Sequence, residues 1–217
     1  MAGRESPGLR ERKKADTRRA LSDAALALAF ERGLDDVTRE AIANLAGVSL
    51  RTFNNYFTGK YEALAYRQTE RLRRSIAALR ERPADEPLWT SITEAVLDPL
   101  EADFGEAASE EDRAPSRAEL VEIRKLLMSA DIRNAMSRDL FDEWVEAIAE
   151  RSGTDPTRDM YPRLVTAVLR AVGDAAMDTY AAADPPVAIT TLLREGMAAV
   201  AAGLPEPPKR TKRSNRG

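Results

Sequence analysis

The chain has 217 residues, of which 43% are hydrophobic and 32% charged, and its formal net charge is -3. This composition is ordinary for a globular protein, and the length allows one small domain beside a larger one. Cysteine and histidine are absent, which excludes disulfides and removes the commonest metal ligand and general base. We therefore expect no metal, no cofactor and no enzymatic activity. No apolar run reaches the length of a membrane span and the N-terminus is charged, so we expect a cytoplasmic protein without a membrane partner.

Charge is divided unevenly along the chain. Residues 1–67 carry 12 basic and 9 acidic residues, residues 68–204 carry 16 and 26, and residues 205–217 carry 5 and 1. An acidic middle with basic ends favours nucleic-acid contact at one end of the molecule, although solvated charged faces would give the same pattern. Residues 1–15 and 205–217 are predicted to be disordered basic ends. Each is either an arm that reaches DNA or a solubilising tail.

The first predicted helix extends from Asp16, a suitable N-cap, to Gly33, a suitable residue just beyond a helix end. Its predicted buried stripe consists of Leu21, Ala24, Ala25 and Leu28.

Residues 38–60 predict two short helices joined by a tight turn at residues 46–48. Thr38 and Ser49 are each placed to cap a helix through a side-chain oxygen. Apolar residues that recur every three or four positions give each helix a buried stripe, namely Ile42, Leu45, Phe53 and Phe57. The second helix exposes hydrogen-bonding side chains instead: Arg51, Thr52, Asn54, Asn55 and Tyr56. A short helix with such an outward face suits the DNA major groove.

The segment from about Asp16 to Leu64 resembles the DNA-binding domain of the TetR family of bacterial transcriptional regulators. The matching residues are Ala24-Ala25, Glu31-Arg32-Gly33-Leu34, Val37-Thr38, Ile42-Ala43, Ala46-Gly47-Val48-Ser49, Thr52-Phe53, Tyr56-Phe57 and Lys60. The resemblance implies an all-α protein with a three-helix helix-turn-helix DNA-binding domain at residues 16–67. A helical bundle for ligand binding and dimerisation is implied for residues 68–204.

The resemblance and the exposed polar face of the second helix together predict a set of DNA contacts: Thr38, Arg39, Ser49, Arg51, Thr52, Asn54, Asn55, Tyr56 and Lys60. Tyr56 and Lys60 match family positions that grip phosphate. Arg51 stands where a small residue is commoner in the family, and Asn54 where an aromatic residue is commoner. Because arginine pairs bidentately with guanine and asparagine with adenine, we predict that Arg51 and one of the two asparagines read bases. Ordinary exposed polar residues are the alternative.

The remaining chain predicts further helices and no strand. A fourth helix is predicted at 61–79 and is broken by the two prolines at 83 and 87. Five more are predicted at 88–102, 116–129, 131–151, 157–182 and 186–202. Helical periodicity without β-type alternation favours a helical bundle.

The resemblance implies a small-molecule cavity inside this bundle. Candidate lining residues are Leu97, Leu100, Leu127, Met128, Phe141, Trp144, Ile148, Leu164 and Val168. Their apolar character, with no evident inward charge cluster, favours a hydrophobic or amphipathic ligand such as a fatty acyl compound. Plain hydrophobic core is the alternative for the same residues.

The last two helices combine small and aliphatic side chains. In the family these helices pair with their copies in a second subunit. The candidate dimer interface is Ala167, Ala171, Ala175, Leu192, Leu193, Gly196, Met197 and Val200. A monomeric bundle core would use the same residue types.

The expected function is that of a ligand-responsive homodimeric regulator, a repressor that a hydrophobic small molecule releases from a palindromic operator on double-stranded DNA. One alternative is a dimeric DNA-binding regulator without an inducer. The other is an enzyme that uses a helical-bundle pocket, but the acids Asp142, Glu143 and Glu146 are spaced like a solvated helix face. No nucleophile or phosphate-binding glycine loop accompanies them.

Overall fold

The computed structural model describes residues 7–105, 125–126, 129–135, 138–183 and 187–206, and all regular structure within these ranges is helical. The helices are α1 (Pro7–Arg32), a 3-10 turn (Leu34–Asp36), α2 (Arg39–Leu45), α3 (Leu50–Tyr56), α4 (Lys60–Glu81), α5 (Leu88–Gly105), α6 (Ala130–Ala135), α7 (Arg138–Ser152), α8 (Met160–Ala182) and α9 (Ile189–Ala201). The predicted all-α fold is confirmed. Among these helices none has the length and apolar character needed to cross a membrane.

Helix α1 begins at Pro7, so the prediction of disorder over residues 7–15 and of an N-cap at Asp16 was wrong. Proline is well suited to a first helical position because its missing N–H has no intrahelical partner there, and most of the residues that follow are good helix formers. The sequence-based prediction relied on an apolar stripe, which this segment lacks. The predicted end is confirmed, because Gly33 follows α1 with φ +85° and donates to the Ala29 carbonyl at 3.0 Å.

We call α1, α2, α3 and the start of α4 (Lys60–Tyr66) the head, and the rest the body. The core of the head is built around Leu21, Ile42 and Phe53, all fully buried. Leu45 was predicted to join this core but is 55% exposed. Ala43 supplies the buried face of α2 beside Ile42, and at about 100° per residue Leu45 lies about 160° from Ala43 around the helix.

Helix α4 connects the head to the body. It contributes Leu64 to the head core and Ile76 to a body cluster with Trp144, Ile148 and Met197. The predicted boundary between residues 67 and 68 therefore lies within one continuous helix. A third cluster packs α5 against α8 and α9 through Leu97, Leu100, Ala176, Ile189 and Leu193.

The body helices follow the predicted ones with shifted ends. Most of the predicted helix at 116–129 lies outside the described residues. The predicted helix at 131–151 corresponds to α6 and α7, which flank residues 136 and 137, also outside the description. The predicted basic tail also lies outside the described residues from residue 207 onward.

The turn between α4 and α5 is held by a polar network around Arg151. Its guanidinium donates to the carbonyls of Arg82 (3.2 Å), Pro83 (2.6 Å) and Glu86 (3.0 Å) and to the Ser91 hydroxyl (2.6 Å). Glu86 accepts from Arg82 and from Ser91. Hydrogen bonds from Arg82 and then Ser91 lower the pKa of Glu86 to about 2. The proline-containing break is therefore an ordered corner that sets how α5 leaves α4.

Candidate DNA-binding surface and internal cavity

Helices α2 and α3 form a helix-turn-helix whose two caps are as predicted. The Thr38 hydroxyl accepts from the Ala41 N–H and the Ser49 hydroxyl from the Thr52 N–H, each at 3.1 Å. Gly47 in the turn has φ +68°, a left-handed conformation that glycine adopts without the penalty other residues pay. These local features fix the angle at which α3 leaves the turn.

Helix α3 is anchored on one side and open on the other. Phe53 is fully buried, and its ring lies 5.8 Å from that of Phe57, also buried. Because these two residues face the core, Arg51, Asn54 and Asn55 are exposed. Within the described part of the chain these three side chains make no hydrogen bond or ion pair. They present donors and acceptors outward on a fixed helix.

The remaining predicted DNA contacts surround this face. Thr38, Arg39 and Ser49 are exposed at the starts of the two helices, whereas Thr52 and Tyr56 are half-buried. The Arg18 guanidinium of α1 lies 5.8 Å from the centre of the Tyr56 ring. Eight of the nine predicted residues are thus exposed or half-buried within the helix-turn-helix.

Lys60 is engaged within the protein. Its Nζ donates to the carbonyls of Leu34 (3.1 Å) and Asp35 (3.2 Å) and lies 5.4 Å from the Tyr61 ring centre. It therefore ties the start of α4 to the 3-10 turn that follows α1. A phosphate would have to compete with two carbonyl acceptors for this ammonium group.

A cavity of about 730 Å³ lies between the head and the body. Of the predicted lining residues, Leu100, Phe141 and Trp144 border it. Leu97 and Ile148 are buried in the hydrophobic clusters instead, Val168 packs against one of them, and Leu127 and Met128 lie outside the described residues. Leu164 does not line it, because its side chain is 49% exposed about 140° around α8 from the inward-facing Leu169 side.

Sequence reasoning missed the wall of the cavity that the head supplies. Leu26 and Phe30 of α1 line it, together with Leu64, Arg67 and Arg71 of α4. The four-residue spacing of Leu26 and Phe30 was the available signal, but at about 100° per residue they lie about 150° and 170° around α1 from the centre of the predicted buried stripe. The resemblance implies a cavity inside the body, and it predicts no cavity wall on α1.

Charged groups border this cavity, so the prediction of a lining without a charge cluster was wrong. Arg67, Arg71 and Arg170 are joined there by Asp174 and Asp178. Arg67 bonds Asp23 of α1 at 2.7 and 3.2 Å.

Arg71 donates to Asp103 at 2.8 Å, and Arg74 donates to the same carboxylate at 2.6 Å. Burial opposes ionisation of Asp103, but these guanidinium bonds outweigh it and lower its pKa. The cavity thus has apolar walls and a polar border whose arginines already hold carboxylates.

The predicted dimer interface divides into two groups. Leu193 and Met197 are buried in the core of the chain itself, and a Cβ on Gly196 would lie 2.8 Å from Val172 Cγ1 of the same chain. Leu193 and Met197 therefore pack within the chain itself, which corrects their assignment to an interface between subunits. Gly196 allows α9 to approach α8 closely but is half-buried, so its assignment to the interface stays a prediction.

The other five predicted interface residues are more accessible. Leu192 and Val200 are half-buried. Ala167, Ala171 and Ala175 are exposed along one face of α8.

In the described part of the chain, no cluster of three or more acidic side chains could hold a metal ion. The DNA-contact roles predicted for individual residues stay predictions.

Comparisons with known proteins agree with this architecture. Residues 21–65 match the family described as bacterial regulatory proteins, tetR family, and residues 86–205 match the MftR C-terminal domain, a C-terminal domain of TetR proteins. The HTH-type transcriptional regulator TcmR of Streptomyces glaucescens is 34% identical over 174 residues, covering 77% of this chain and 74% of its own.

Similar solved structures include FadR of Thermus thermophilus, a TetR family transcriptional repressor in complex with lauroyl-CoA. It has a TM-score of 0.53 and 19% identity, over 89% of this chain and 98% of that one. A TetR-family regulator from Syntrophomonas wolfei has a TM-score of 0.59 and 14% identity, over 88% and 97%. SmeT, the repressor of a Stenotrophomonas maltophilia multidrug efflux pump, has a TM-score of 0.54 and 16% identity, over 88% of this chain and 97% of that one. At such identities the likeness establishes the fold alone.

Proposed function

Because the chain belongs to the TetR family of bacterial regulatory proteins and is a DNA-binding transcriptional regulator, we propose that it is a repressor released from a palindromic operator by an amphipathic small molecule. The observation that carries this proposal is the cavity shared by the head and the body. Leu26 and Phe30 belong to the helix that supports the helix-turn-helix, and they also line the cavity. A ligand there touches the DNA-binding unit directly.

In this proposal α3 reads the operator. Arg51 pairs with guanine and Asn54 or Asn55 with adenine, each worth about 1–3 kcal/mol of discrimination. Six side chains position the head on the backbone: Thr38, Arg39, Ser49, Thr52, Tyr56 and Lys60. Lys60 does so only by exchanging a carbonyl partner for a phosphate oxygen.

The test begins with operator selection from a random pool of duplexes. Arg51→Ala, Asn54→Ala and Asn55→Ala are then compared with Arg158→Ala, which removes the same charge as Arg51→Ala from an exposed site far along the chain. We expect Arg51→Ala and at least one of the two asparagine variants to lose about 5- to 150-fold of the preference for the operator over a duplex altered at one position. If Arg51→Ala, or both asparagine variants, keep the preference of Arg158→Ala, the assignment of base reading is refuted.

Dimerisation is proposed to use the exposed face of α8. Met160 is 75% exposed and Leu164 49%, and they continue into Ala167, Ala171 and Ala175 on the same side of the helix. An uncovered apolar stripe of this kind suits a second copy of the chain. Paired across a two-fold axis, two heads would meet successive major grooves about 34–36 Å apart.

Analytical sedimentation measures whether the chain is a monomer or a dimer. We expect Ala171→Glu to be monomeric, because the substitution places two like charges near the axis of the pair. Ala77→Glu, on the exposed side of α4, should remain dimeric as the native chain does. A native chain that sediments as a monomer at micromolar concentration would contradict the proposal.

The ligand is proposed to be a fatty acyl or similar amphipathic compound. A cavity of about 730 Å³ is within the range of about 300–1,000 Å³ usual for small-molecule sites. Its walls are mostly apolar, and Arg67 and Arg71 lie on one border. An anionic group can bind there by replacing their present carboxylate partners, Asp23 and Asp103. Lauroyl-CoA, which is bound to the similar FadR structure, is therefore a reasonable first probe, with lauric acid and free coenzyme A beside it.

Ligand can release DNA only through different affinities for the two states of the protein. Moving the population from 1:99 to 99:1 requires a ratio of about 10⁴ in affinity, or about 5.5 kcal/mol. A ligand whose contacts include Leu26 and Phe30 has different affinities for the two states, since any movement of α1 changes those contacts.

Tryptophan fluorescence provides the assay. Trp144 is buried and lines the cavity, and Trp89→Phe leaves it as the sole tryptophan of the chain. We expect the acyl probe to change its emission and, over the same concentrations, to weaken operator binding. Gly173→Leu, which extends a side chain into the cavity from a position with free space around its Cβ, should abolish both responses. Unchanged emission at saturating probes would favour a regulator without this class of inducer.

A further inference from the structure

The N-terminal turns of α1 precede the hydrophobic core of the head. The first core residue of this helix is Leu21, although the helix begins at Pro7. Between them lie six basic residues and only two acidic ones: Arg10, Arg12, Lys13, Lys14, Arg18 and Arg19 against Glu11 and Asp16. This length of helix is therefore not explained by packing of the core.

Three of these basic residues share one face. At about 100° per residue, Arg10, Lys14 and Arg18 fall within about 80° of one another and span about 12 Å of the helix axis. Arg12 and Arg19 lie on the opposite side. We call Arg10, Lys14 and Arg18 the basic stripe.

The C-terminal end of the basic stripe, Arg18, lies beside the end of α3. The Arg18 guanidinium lies 5.8 Å from the centre of the Tyr56 ring, and Tyr56 is the last residue of α3. A planar guanidinium over an aromatic ring is held in place while its edge N–H groups stay available. Within the described residues Arg10, Lys14 and Arg18 make no ion pair, whereas Arg19 is paired with Asp16 at 4.0 Å.

From this geometry we infer that the basic stripe binds the DNA phosphate backbone flanking the bases that α3 reads. The inference rests on the proposed use of α3 in the major groove. Tyr56 joins the two surfaces, because Arg18 contacts it from α1 while the exposed face of α3 continues from its other side. Positive charges about 6 Å apart along a rigid helix complement a phosphate chain and carry no base specificity. The stripe therefore contributes affinity and salt dependence, and it leaves the choice of sequence to α3.

Salt dependence tests this inference. Each phosphate contact contributes about 0.9 to the slope of log affinity against log salt concentration. Arg10→Ala/Lys14→Ala removes two phosphate contacts, so the magnitude of the slope should fall by about 1.8. The ratio of native to variant DNA affinity should therefore change about 12-fold between about 50 and 200 mM salt. Alanine is the best helix former, so circular dichroism should show an intact α1.

Arg12→Ala/Arg19→Ala is the matched control, because it removes the same charge from the opposite face of the same turns. It should keep the native slope. Arg18→Lys should also keep the slope, whereas Arg18→Ala should lose about one contact. Preference among operator variants should be the same for all of these proteins.

Two outcomes would overturn the inference. One is a native slope for Arg10→Ala/Lys14→Ala, and the other is an equal loss in both double variants, which would mean a diffuse charge effect. Neither outcome touches base reading by α3, which fails separately if Arg51→Ala keeps native operator preference. Binding of the native chain to the selected operator is the common reference for both tests.

Discussion

Gly196 allows the close approach of α9 to α8, and its replacement by alanine tests how tightly the two helices are packed. An added Cβ would lie 2.8 Å from Val172 Cγ1, a separation that real Cβ atoms essentially never show. Val172 is buried on α8, and a valine in a helix has one strongly preferred rotamer. Relief therefore requires a shift of one helix, not a rotation of the side chain.

Two opposing effects decide the result. Replacing glycine by alanine inside a helix favours folding by about 1 kcal/mol. Overpacking a well-packed core usually costs about 1–3 kcal/mol. Gly173 isolates the first effect, because it lies in the interior of α8 and an added Cβ there would have nothing within 4 Å. Gly173→Ala should gain up to about 1 kcal/mol, and the difference between the two variants should equal the cost of the clash, about 1–3 kcal/mol.

Urea unfolding at one protein concentration gives the free energies, since dimerisation would make them concentration-dependent. The slope against urea should be the same for both variants, so that midpoints report stability alone. If Gly196→Ala proves as stable as Gly173→Ala, then α8 and α9 can separate without cost. The reasoning from this contact would then be refuted.

Three further predictions concern the caps, the core and the α4–α5 corner. Thr38→Ala should cost about 1 kcal/mol by removing the cap of α2, and Thr38→Ser should restore it in thermal unfolding. Phe53→Ala should cost about 3–5 kcal/mol and abolish DNA binding, because this fully buried side chain holds α3 in place. The folded pKa of Glu86 is about 2 against 4.5 for the free group, so its contribution to stability is complete above pH 4.5 and is lost as pH falls towards 2. Glu86→Gln should therefore unfold with a weaker pH dependence across that interval, as followed by circular dichroism.

The helix-turn-helix could be predicted from sequence because its determinants are local. Each cap, Thr38 and Ser49, bonds an N–H group three residues further on. Phe53 and Phe57 are about one helical turn apart, so each of these features depends on near neighbours in the chain. The polar residues that lie between the buried positions of α3 identified its exposed face. The same local reasoning failed for Leu45, since three-residue spacing within a seven-residue helix does not decide which side the neighbouring helices cover.

Residues of the body show what only the tertiary structure decided. Leu193 and Met197 were predicted at a subunit interface, yet they pack inside the chain, while Leu164 has the character of a core residue and is exposed. Leu26 and Phe30 line a cavity with residues more than a hundred positions away. Composition and period determine that a helix has an apolar face. Which element meets that face depends on long-range packing, in which many apolar surfaces are nearly interchangeable until the chain is folded.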